Sequence, residues 1–270
     1  MNQYKYKNNY IKKDPVVKHS YGIACCRYNL NTKRMEILMV KKRYTFYFLE
    51  FIMGHYSPND DIKLLYLFNR ISIDEKIVIE TMDFDRMWYH IWREVPTAET
   101  ESYSWYCRCK RKFTINFTVP NGEQHIRSLL TQSTSQDCMW EIPKGKRNSN
   151  ETELECAIRE TQEETNMTTD QYKLLGESLE MQYSNEKVCY ANKYFVAVST
   201  TPKTLYRADK PRLTFMNSRQ ISEIVDVRWI SLEEIRFLDL THRFTNLVTS
   251  CFKLLRSRYR LPKLTELGMI

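Results

Sequence analysis

The first clear pattern of hydrophobic positions is a pair of short apolar runs joined by a polar turn. Tyr21–Tyr28 and Arg34–Lys41 are rich in residues that favour strands, and Asn29–Thr32 between them is typical of a turn. This segment predicts a β-hairpin. The residues ahead of it, 1–18, are basic and show no periodicity, which indicates a tail.

Beyond the hairpin, the apolar residues recur at helical spacing. Asp61–Arg70 and Ile73–Trp92 both fit this pattern, which predicts two helices. Ser72, with Glu75 three residues later, forms a capping box at the start of the second one.

The remaining segments alternate between irregular and regular patterns. Residues 96–137 are less regular; they include a basic aromatic stretch, Tyr103–Phe117, and end near a joint rich in serine, threonine and glutamine. Cys138–Ile142 then leads into the loop at 143–146. Strand-like runs return at Leu174–Tyr183, Asn192–Ser199 and Val225–Ile230. Thr241–Arg260 predicts a long amphipathic helix with the apolar stripe Phe244, Leu247, Val248, Cys251, Leu254 and Leu255.

The most informative stretch has three glutamates on one helical face. Glu160, Glu163 and Glu164 stand at i, i+3 and i+4, so a helix projects their carboxylates together. Crowded carboxylates raise one another's pKa, and such a cluster usually has cations to neutralise it. All-oxygen ligands suit Mg²⁺ or Mn²⁺, which commonly bridge to substrate phosphates. The preceding loop, 143–146, adds a flexible backbone and two lysines.

These residues resemble the Nudix box, G-x5-E-x7-R-E-U-x-E-E-x-G-U, in which U is aliphatic. The matching positions are Gly145, Glu151, Arg159, Glu160, Glu163, Glu164 and Met167. Two positions depart from it: Thr161 replaces an aliphatic residue, and Asn166 replaces a glycine, although asparagine tolerates the left-handed conformation of a helix C-cap. A solvated acidic helix face is the usual explanation of a glutamate run, but it does not explain the glycine loop or the placed arginine.

The resemblance implies an α/β fold, the Nudix α/β/α sandwich, with Mg²⁺ or Mn²⁺ as its cofactor. A Nudix fold needs its first hairpin near the box, yet a segment of domain size separates the two here. We therefore expect a discontinuous Nudix domain, 1–41 and 138–270, interrupted by a mostly helical insertion at 42–137.

The resemblance also implies a role for each site residue. In similar enzymes the Gly145 carbonyl, Glu160, Glu163 and Glu164 bind the metal. One glutamate doubles as general base; we favour Glu164, with Glu160 as the alternative. The other expected roles are Arg159 orienting the glutamates, Glu151 holding Arg159, Lys144 and Lys146 contacting phosphate, and Glu223 as a further metal ligand or base. The ordinary alternatives are helix ion pairs, solvated loop lysines and a surface glutamate.

A second, narrower resemblance involves the insertion. The stretches 41–44, 55–57, 84–92 and 140–146 look like the Nudix mRNA-decapping enzymes of large cytoplasmic DNA viruses, of the African swine fever virus type. It covers most of the chain; residues 97–137 and the extreme N-terminus match least. It implies hydrolysis of the 5′ cap of mRNA, which releases methylated GDP and 5′-monophosphate RNA. Capped mRNA is then the expected partner, and no protein partner is evident.

The charge balance is consistent with a polyanionic substrate. The chain carries a net charge of +8 although its glutamate helix is acidic, so basic residues are concentrated elsewhere. Binding to phosphates releases counterions, and such dispersed positive charge serves a long polyanion better than a free nucleotide. The candidate RNA-binding residues are Arg108, Lys110, Arg111, Lys112, Lys253, Arg256 and Arg260. Solubility is the alternative explanation for any one cluster.

The aromatic residues leave the cap-binding residues unknown. A methylated guanine is cationic and is typically held by aromatic rings, for which Trp88, Trp92, Trp105, Phe46 and Tyr47 are among the candidates. Trp88 and Trp92 are one helical turn apart, which is also the spacing of a core stripe, so a core position is the expected one.

The remaining features concern location and alternative functions. No apolar run long enough for a membrane span and no signal-peptide pattern occur, and the eight cysteines lack paired spacing. We therefore expect reduced thiols and a cytoplasmic location without membrane contact.

Two alternative functions remain open: a Nudix hydrolase of small substrates, such as diphosphoinositol polyphosphates or nucleoside diphosphate derivatives, and a non-catalytic RNA-binding protein.

Overall fold

The central sheet is built around the hairpin that the sequence predicts. Strands β1 (Val16–Asn29) and β2 (Arg34–Lys42) pair antiparallel in the computed structural model, which describes residues 16–29, 31–184, 188–200, 223–238 and 242–259. The other five strands are β3 (Trp140–Glu141), β4 (Lys144–Gly145), β5 (Tyr172–Ser184), β6 (Val188–Ser199) and β7 (Ile224–Ser231).

The strands form one mixed sheet with the order β3-β2-β1-β6-β5. β1 and β6 are parallel and β5 pairs antiparallel with β6, whereas β4 pairs with β1 and β7 pairs with β2. The pairing of β4 with β1 matters for function, because it holds the loop before the glutamate helix against the centre of the sheet.

Both faces of the sheet are covered by helices. Along β1, Ile23 and Cys25 face one hydrophobic cluster, while Ala24 and Cys26 face another on the opposite side. Helix α7 (Glu153–Thr165) packs on the first face and helix α9 (His242–Tyr259) on the second. Because each strand position is buried on one face or the other, the strands have continuous apolar runs rather than alternating ones. The α/β/α sandwich is confirmed.

The local sequence of α7 explains where it begins and ends. Thr152 and Glu155 form a capping box at its start, and Asn166 ends it in the left-handed conformation at φ 58°. Cys156, Ala157 and Thr161 form the buried stripe, with Thr161 fully buried and its hydroxyl without a hydrogen-bond partner among the described residues.

Six helices lie between β2 and β3 and share a hydrophobic cluster of their own. They are α1 (Phe46–Ile52), α2 (Asp61–Phe68), α3 (Ile73–Thr81), α4 (Phe84–Trp92), α5 (Tyr103–Phe117) and α6 (Pro120–Gln132). Phe51, Phe68, Trp88 and Phe113 are among the residues of this cluster, which is distinct from the clusters on the two sheet faces.

Two of the expectations for this region are wrong in detail. Ile73–Trp92 is two helices rather than one, because Asp83 accepts a hydrogen bond from the Arg86 N–H and starts a new helix. Residues 96–137 are more regular than their pattern indicates, since α5 and α6 cover much of the segment. The capping box at Ser72 and Glu75 is confirmed.

A short helix, α8 (Leu232–Ile235), follows β7. All eight cysteines are free thiols, in agreement with the expectation of reduced residues. Across the described residues, no helix combines the length and apolar character that crossing a membrane requires.

Candidate active site

Arg159 is the residue around which one half of the site is arranged. Its Nε and Nη2 atoms donate to the two oxygens of Glu151 at 2.9 and 2.7 Å, and Nη2 also donates to the Lys146 carbonyl at 3.0 Å. Hydrogen bonds from Arg159 and from the Asn148 N–H lower the pKa of Glu151 to about 2. Glu151 is therefore ionised at neutral pH, and its bidentate contact fixes the plane of the guanidinium.

The same guanidinium also holds two of the three clustered glutamates. Arg159 Nη1 donates to Glu160 Oε1 at 2.7 Å and to Glu163 Oε2 at 3.1 Å. Burial raises the pKa of Glu160, and Arg159 opposes this shift. The expectation that Arg159 contacts these glutamates while Glu151 holds it agrees with the geometry.

Gly145 lies directly against the Glu160 carboxylate. A Cβ atom built on Gly145 would be 2.0 Å from Glu160 Cδ, far inside any normal contact. Since β4 fixes the backbone of Gly145 against β1, a larger residue here would displace the Glu160 carboxylate from this position. The close approach brings the loop backbone and a carboxylate together, which is an oxygen-rich arrangement.

Glu164 is held by a second group of residues, which sequence reasoning missed in part. Lys42 Nζ donates to Glu164 Oε1 at 2.5 Å, and the Lys144 backbone N–H donates to Oε2 at 3.1 Å. Glu164 is only 3% exposed, and this burial raises its pKa to about 7 even though Lys42 opposes the shift. Its carboxylate is therefore poised to exchange a proton near neutral pH.

Glu141 links the two lysines of this group. It lies 3.3 Å from Lys42 Nζ and forms an ion pair with Lys144 Nζ. Burial raises the pKa of Glu141, but Lys144 and Lys42 outweigh burial, so the net shift is downward. Neither Lys42 nor Glu141 was among the residues expected from the motif, because the signature does not include them.

The other expected residues lie at the edge of the site. The Glu223 carboxylate is 3.8 Å from Lys42 Nζ and largely exposed, and its backbone carbonyl accepts a hydrogen bond from the Arg43 N–H at 2.7 Å. The Lys146 side chain is exposed, whereas its carbonyl binds Arg159. The fold thus brings Glu223 into the neighbourhood of Glu164 from a distant part of the chain.

The donor set fits a hard divalent cation. Glu160 and Glu163 share the Arg159 guanidinium, and Glu160 also lies beside the Gly145 backbone. Glu164 is held separately, by Lys42 and the Lys144 N–H. Carboxylate oxygens are the ligands that Mg²⁺ and Mn²⁺ prefer. Within the described ranges, no three acidic, thiol or imidazole groups already stand in metal-binding geometry. The ion pairs with Arg159 and Lys42 account for this, because each cation draws a carboxylate to itself.

A large cavity borders the site. Its volume is about 870 Å³, and it lies between the helices that follow β2 and the sheet. Glu141, Lys144 and Asn192 line it on the side of the sheet, and Tyr47 and Arg70 line it on the side of the helices. The side chain of Asn192 is 3% exposed, and its Nδ2 atom has no hydrogen-bond partner in the described structure. A buried donor of this kind is suited to an acceptor on a ligand.

The candidate RNA-binding residues differ in their surroundings. Arg108 and Arg111 are exposed on α5. Lys110 forms an ion pair with Asp85 at 2.7 Å, and Lys112 donates to the Gly54 and Tyr56 carbonyls at 2.8 and 2.6 Å. Lys253 is exposed and Arg256 half-buried on α9, and Arg260 lies outside the described residues.

Trp88 belongs to the core of the insertion. It is 2% exposed and packs against Trp92 with their ring centroids 4.0 Å apart. The expected core position is confirmed for Trp88, whereas Trp92 is half-buried at the edge of the same cluster.

Comparisons with known proteins agree with this geometry. A model of the NUDIX domain matches residues 111–249, just over half of the chain. The chain is 38% identical to the mRNA-decapping protein g5R of African swine fever virus (isolate Pig/Kenya/KEN-50/1950), over 86% of this chain and 92% of that protein. It is 25% identical to a putative mRNA-decapping protein of Acanthamoeba polyphaga mimivirus, over 74% of this chain and 59% of that one.

Among solved structures, a C. elegans Ap4A hydrolase in a binary complex matches with a TM-score of 0.45 at 14% identity, over 90% of this chain and 99% of that one. The family match and the identity to the g5R protein, together with an intact glutamate helix on an α/β/α sandwich, show that the chain belongs to the Nudix hydrolase family.

Proposed function

We propose that this protein hydrolyses the 5′ cap of mRNA with the help of a divalent metal ion, Mg²⁺ or Mn²⁺, and releases methylated GDP and 5′-monophosphate RNA. The observation that carries the proposal is a cavity between the sheet and a large helical insertion, lined on the sheet side by Glu141 and Lys144. The Lys144 backbone N–H binds Glu164, which links this cavity to the Nudix glutamate cluster. The identity to a viral mRNA-decapping protein over most of both chains supports the same substrate.

In this proposal the metal is held by the Gly145 carbonyl and by Glu160, Glu163 and Glu164, with Glu223 as a further ligand. Divalent ions at this position would neutralise phosphate oxygens and lower the pKa of the attacking water. Arg159 keeps Glu160 and Glu163 in place, since it binds both carboxylates. Glu151 does the same for Arg159.

We assign the general base to Glu164. Its pKa of about 7 lets it accept a proton at neutral pH, and two donors fix its orientation. Glu160 then acts as a ligand, in keeping with its contact with the Gly145 loop. Lys144 lines the cavity and Lys146 follows in the same loop, which supports a contact of both with substrate phosphates.

The cap nucleotide would occupy the cavity beside Glu141 and Lys144. Its volume of about 870 Å³ lies in the range of small-molecule sites. Phe46, Tyr183 and Phe237 are exposed rings on its wall that suit a cationic, methylated guanine. The unpartnered Nδ2 atom of Asn192 supplies a hydrogen-bond donor for a substrate oxygen.

We propose that residues 42–137 form an insertion domain that binds the RNA body, while 1–41 and 138–270 form the catalytic domain. Arg108 and Arg111 are exposed and are our first candidates for phosphate contact, together with Lys253 and Arg256. The ion pair of Lys110 and the carbonyl contacts of Lys112 give these two residues a structural role as well. We infer that the protein meets its mRNA in the cytoplasm of an infected cell.

The test is to incubate the protein with Mn²⁺ or Mg²⁺ and cap-labelled RNA, and to identify the released product. Methylated GDP is expected, and capped RNA of some tens of nucleotides should be cut with a far higher kcat/KM than free cap dinucleotide. Uncapped RNA should compete as an inhibitor. Equal kcat/KM for the long and the short substrate would contradict the proposal and favour a hydrolase of small substrates.

A further inference from the structure

Three residues of the insertion form a stacked platform of two rings and a guanidinium. The guanidinium of Arg70 lies over the Tyr66 ring with its Cζ 3.6 Å from the ring centroid, and 5.7 Å from the centroid of Tyr47. The two tyrosine rings contact each other edge to face at 6.2 Å. Arg70 Nη1 also donates to the Tyr66 carbonyl at 3.1 Å. The guanidinium is therefore held in one plane before any ligand arrives.

This platform forms part of the cavity wall that faces the catalytic residues. Arg70 and Tyr47 line the cavity from the insertion, whereas Glu141 and Lys144 line it from the sheet. The neighbouring Asn69 side chain accepts a hydrogen bond from the Thr134 N–H at 2.8 Å, which ties the end of α2 to the segment leading into β3. The platform is thus fixed relative to the site and does not depend on a mobile loop.

The charge of Arg70 determines which part of the substrate suits it. In the described part of the chain no carboxylate pairs with Arg70, so its positive charge is not neutralised locally. A methylated guanine is itself cationic and would be repelled by this guanidinium. A neutral base can stack on it, and the adjoining phosphate gains from the charge. The platform therefore favours an ordinary ribonucleotide over the cap base.

We propose that the platform of Arg70, Tyr66 and Tyr47 binds the first nucleotide of the RNA body, the one next to the cleaved pyrophosphate. The inference rests on the proposed decapping function, and it assigns a subsite for a neutral base with its phosphate. Binding there aligns the pyrophosphate across the cavity towards Lys144 and the glutamate cluster. It also gives the insertion a part in positioning the substrate, in addition to gripping the RNA body.

The experiment compares two capped RNAs of equal length, one with a normal first nucleotide and one with an abasic ribose at that position. Wild-type protein should show a KM about tenfold higher for the abasic substrate, since stacking of one base is lost. Arg70→Ala should have a raised KM for the normal RNA and lose the difference between the two substrates. Arg70→Lys keeps the charge but not the flat face, so it should also lose most of the difference.

Arg86→Ala is the matched control, because it removes the same charge from an exposed position of the insertion outside this cavity. It should retain the tenfold preference. Fluorescence anisotropy can measure the binding of an uncapped 5′-monophosphate RNA of ten nucleotides, which gives a readout independent of turnover. In this assay Arg70→Lys should weaken RNA binding, whereas Arg86→Ala should weaken it much less.

An undiminished preference in folded Arg70→Lys, or no preference in the wild type, would overturn the inference while leaving decapping intact. Failure of the wild type to release methylated GDP would instead refute the proposed function, so the two failures are distinguishable.

Discussion

Replacing Gly145 with alanine tests the metal-ligand assignment with the smallest possible change. The new Cβ would be 2.0 Å from Glu160 Cδ and 2.2 Å from Oε1. A normal contact between carbon atoms is about 3.5–4.0 Å, so the carboxylate has to move by more than 1 Å. The backbone of Gly145 does not have the left-handed φ that would penalise alanine, so the effect comes from this contact alone.

The expected result is a large loss of turnover with little loss of stability. The carboxylate is the end of a flexible side chain and can rotate away, which costs its ion pair with Arg159, a partly exposed contact worth about 1 kcal/mol or less. A displacement of about 1 Å at a catalytic group can reduce turnover by roughly 100-fold. The measurements are kcat for cap-labelled RNA at saturating Mn²⁺ and the free energy of unfolding in urea.

The control is the same substitution in a Glu160→Ala background, where the clash no longer exists. There Gly145→Ala should change neither stability nor the residual turnover, so the two effects should be strongly non-additive. Near-wild-type turnover of Gly145→Ala, or an equal loss in both backgrounds, would refute the assignment of Glu160 as a ligand fixed by this loop.

Three other predictions concern the glutamates of α7 and the basic residues of α5. Glu163→Gln or Glu164→Gln should nearly abolish turnover and leave RNA affinity close to unchanged in a binding assay, because the proposed RNA contacts are remote cations. Substantial turnover in either variant would contradict metal binding there. A carboxylate must be ionised to bind a metal, and the pKa of Glu164 is about 7. The Kd for Mn²⁺, measured by calorimetry, should therefore fall as the pH rises from 6 to 7 and level off above pH 8. A Kd that does not change with pH would contradict this prediction. The double variant Arg108→Glu, Arg111→Glu should weaken RNA binding and flatten the dependence of RNA affinity on salt; an unchanged salt slope would mean that α5 does not contact RNA. By contrast, Lys112→Glu should lower the melting temperature, because it breaks two contacts with backbone carbonyls.

The sequence predicted those features that depend on neighbouring residues. Four such features follow from the spacing of residues close in sequence, and the structure agrees with them: the hairpin, the capping box of α3, the glutamate face of α7 and the left-handed end of α7 at Asn166. The α/β/α sandwich also followed, through a motif whose fixed positions lie within one loop and one helix. The helices α5 and α6 were missed because their apolar residues are spread among basic and polar ones. Their state is decided by burial, α5 against α4 and α6 against α2 and α5.

The structure alone decided which distant residues complete the site. Lys42 reaches Glu164 across 122 positions of sequence, and Glu223 approaches the same lysine from the position just before β7. Neither contact leaves a local pattern, because a single charged residue at the end of a strand looks the same whether it faces solvent or a buried carboxylate. The sequence by itself therefore determined the chemistry of the glutamate helix, whereas tertiary packing determined its neutralising cations and the cavity beside it. The physical reason is that the spacing of residues along the chain reflects interactions between near neighbours in sequence. Burial and charge pairing at the site arise only when the sheet brings remote segments together.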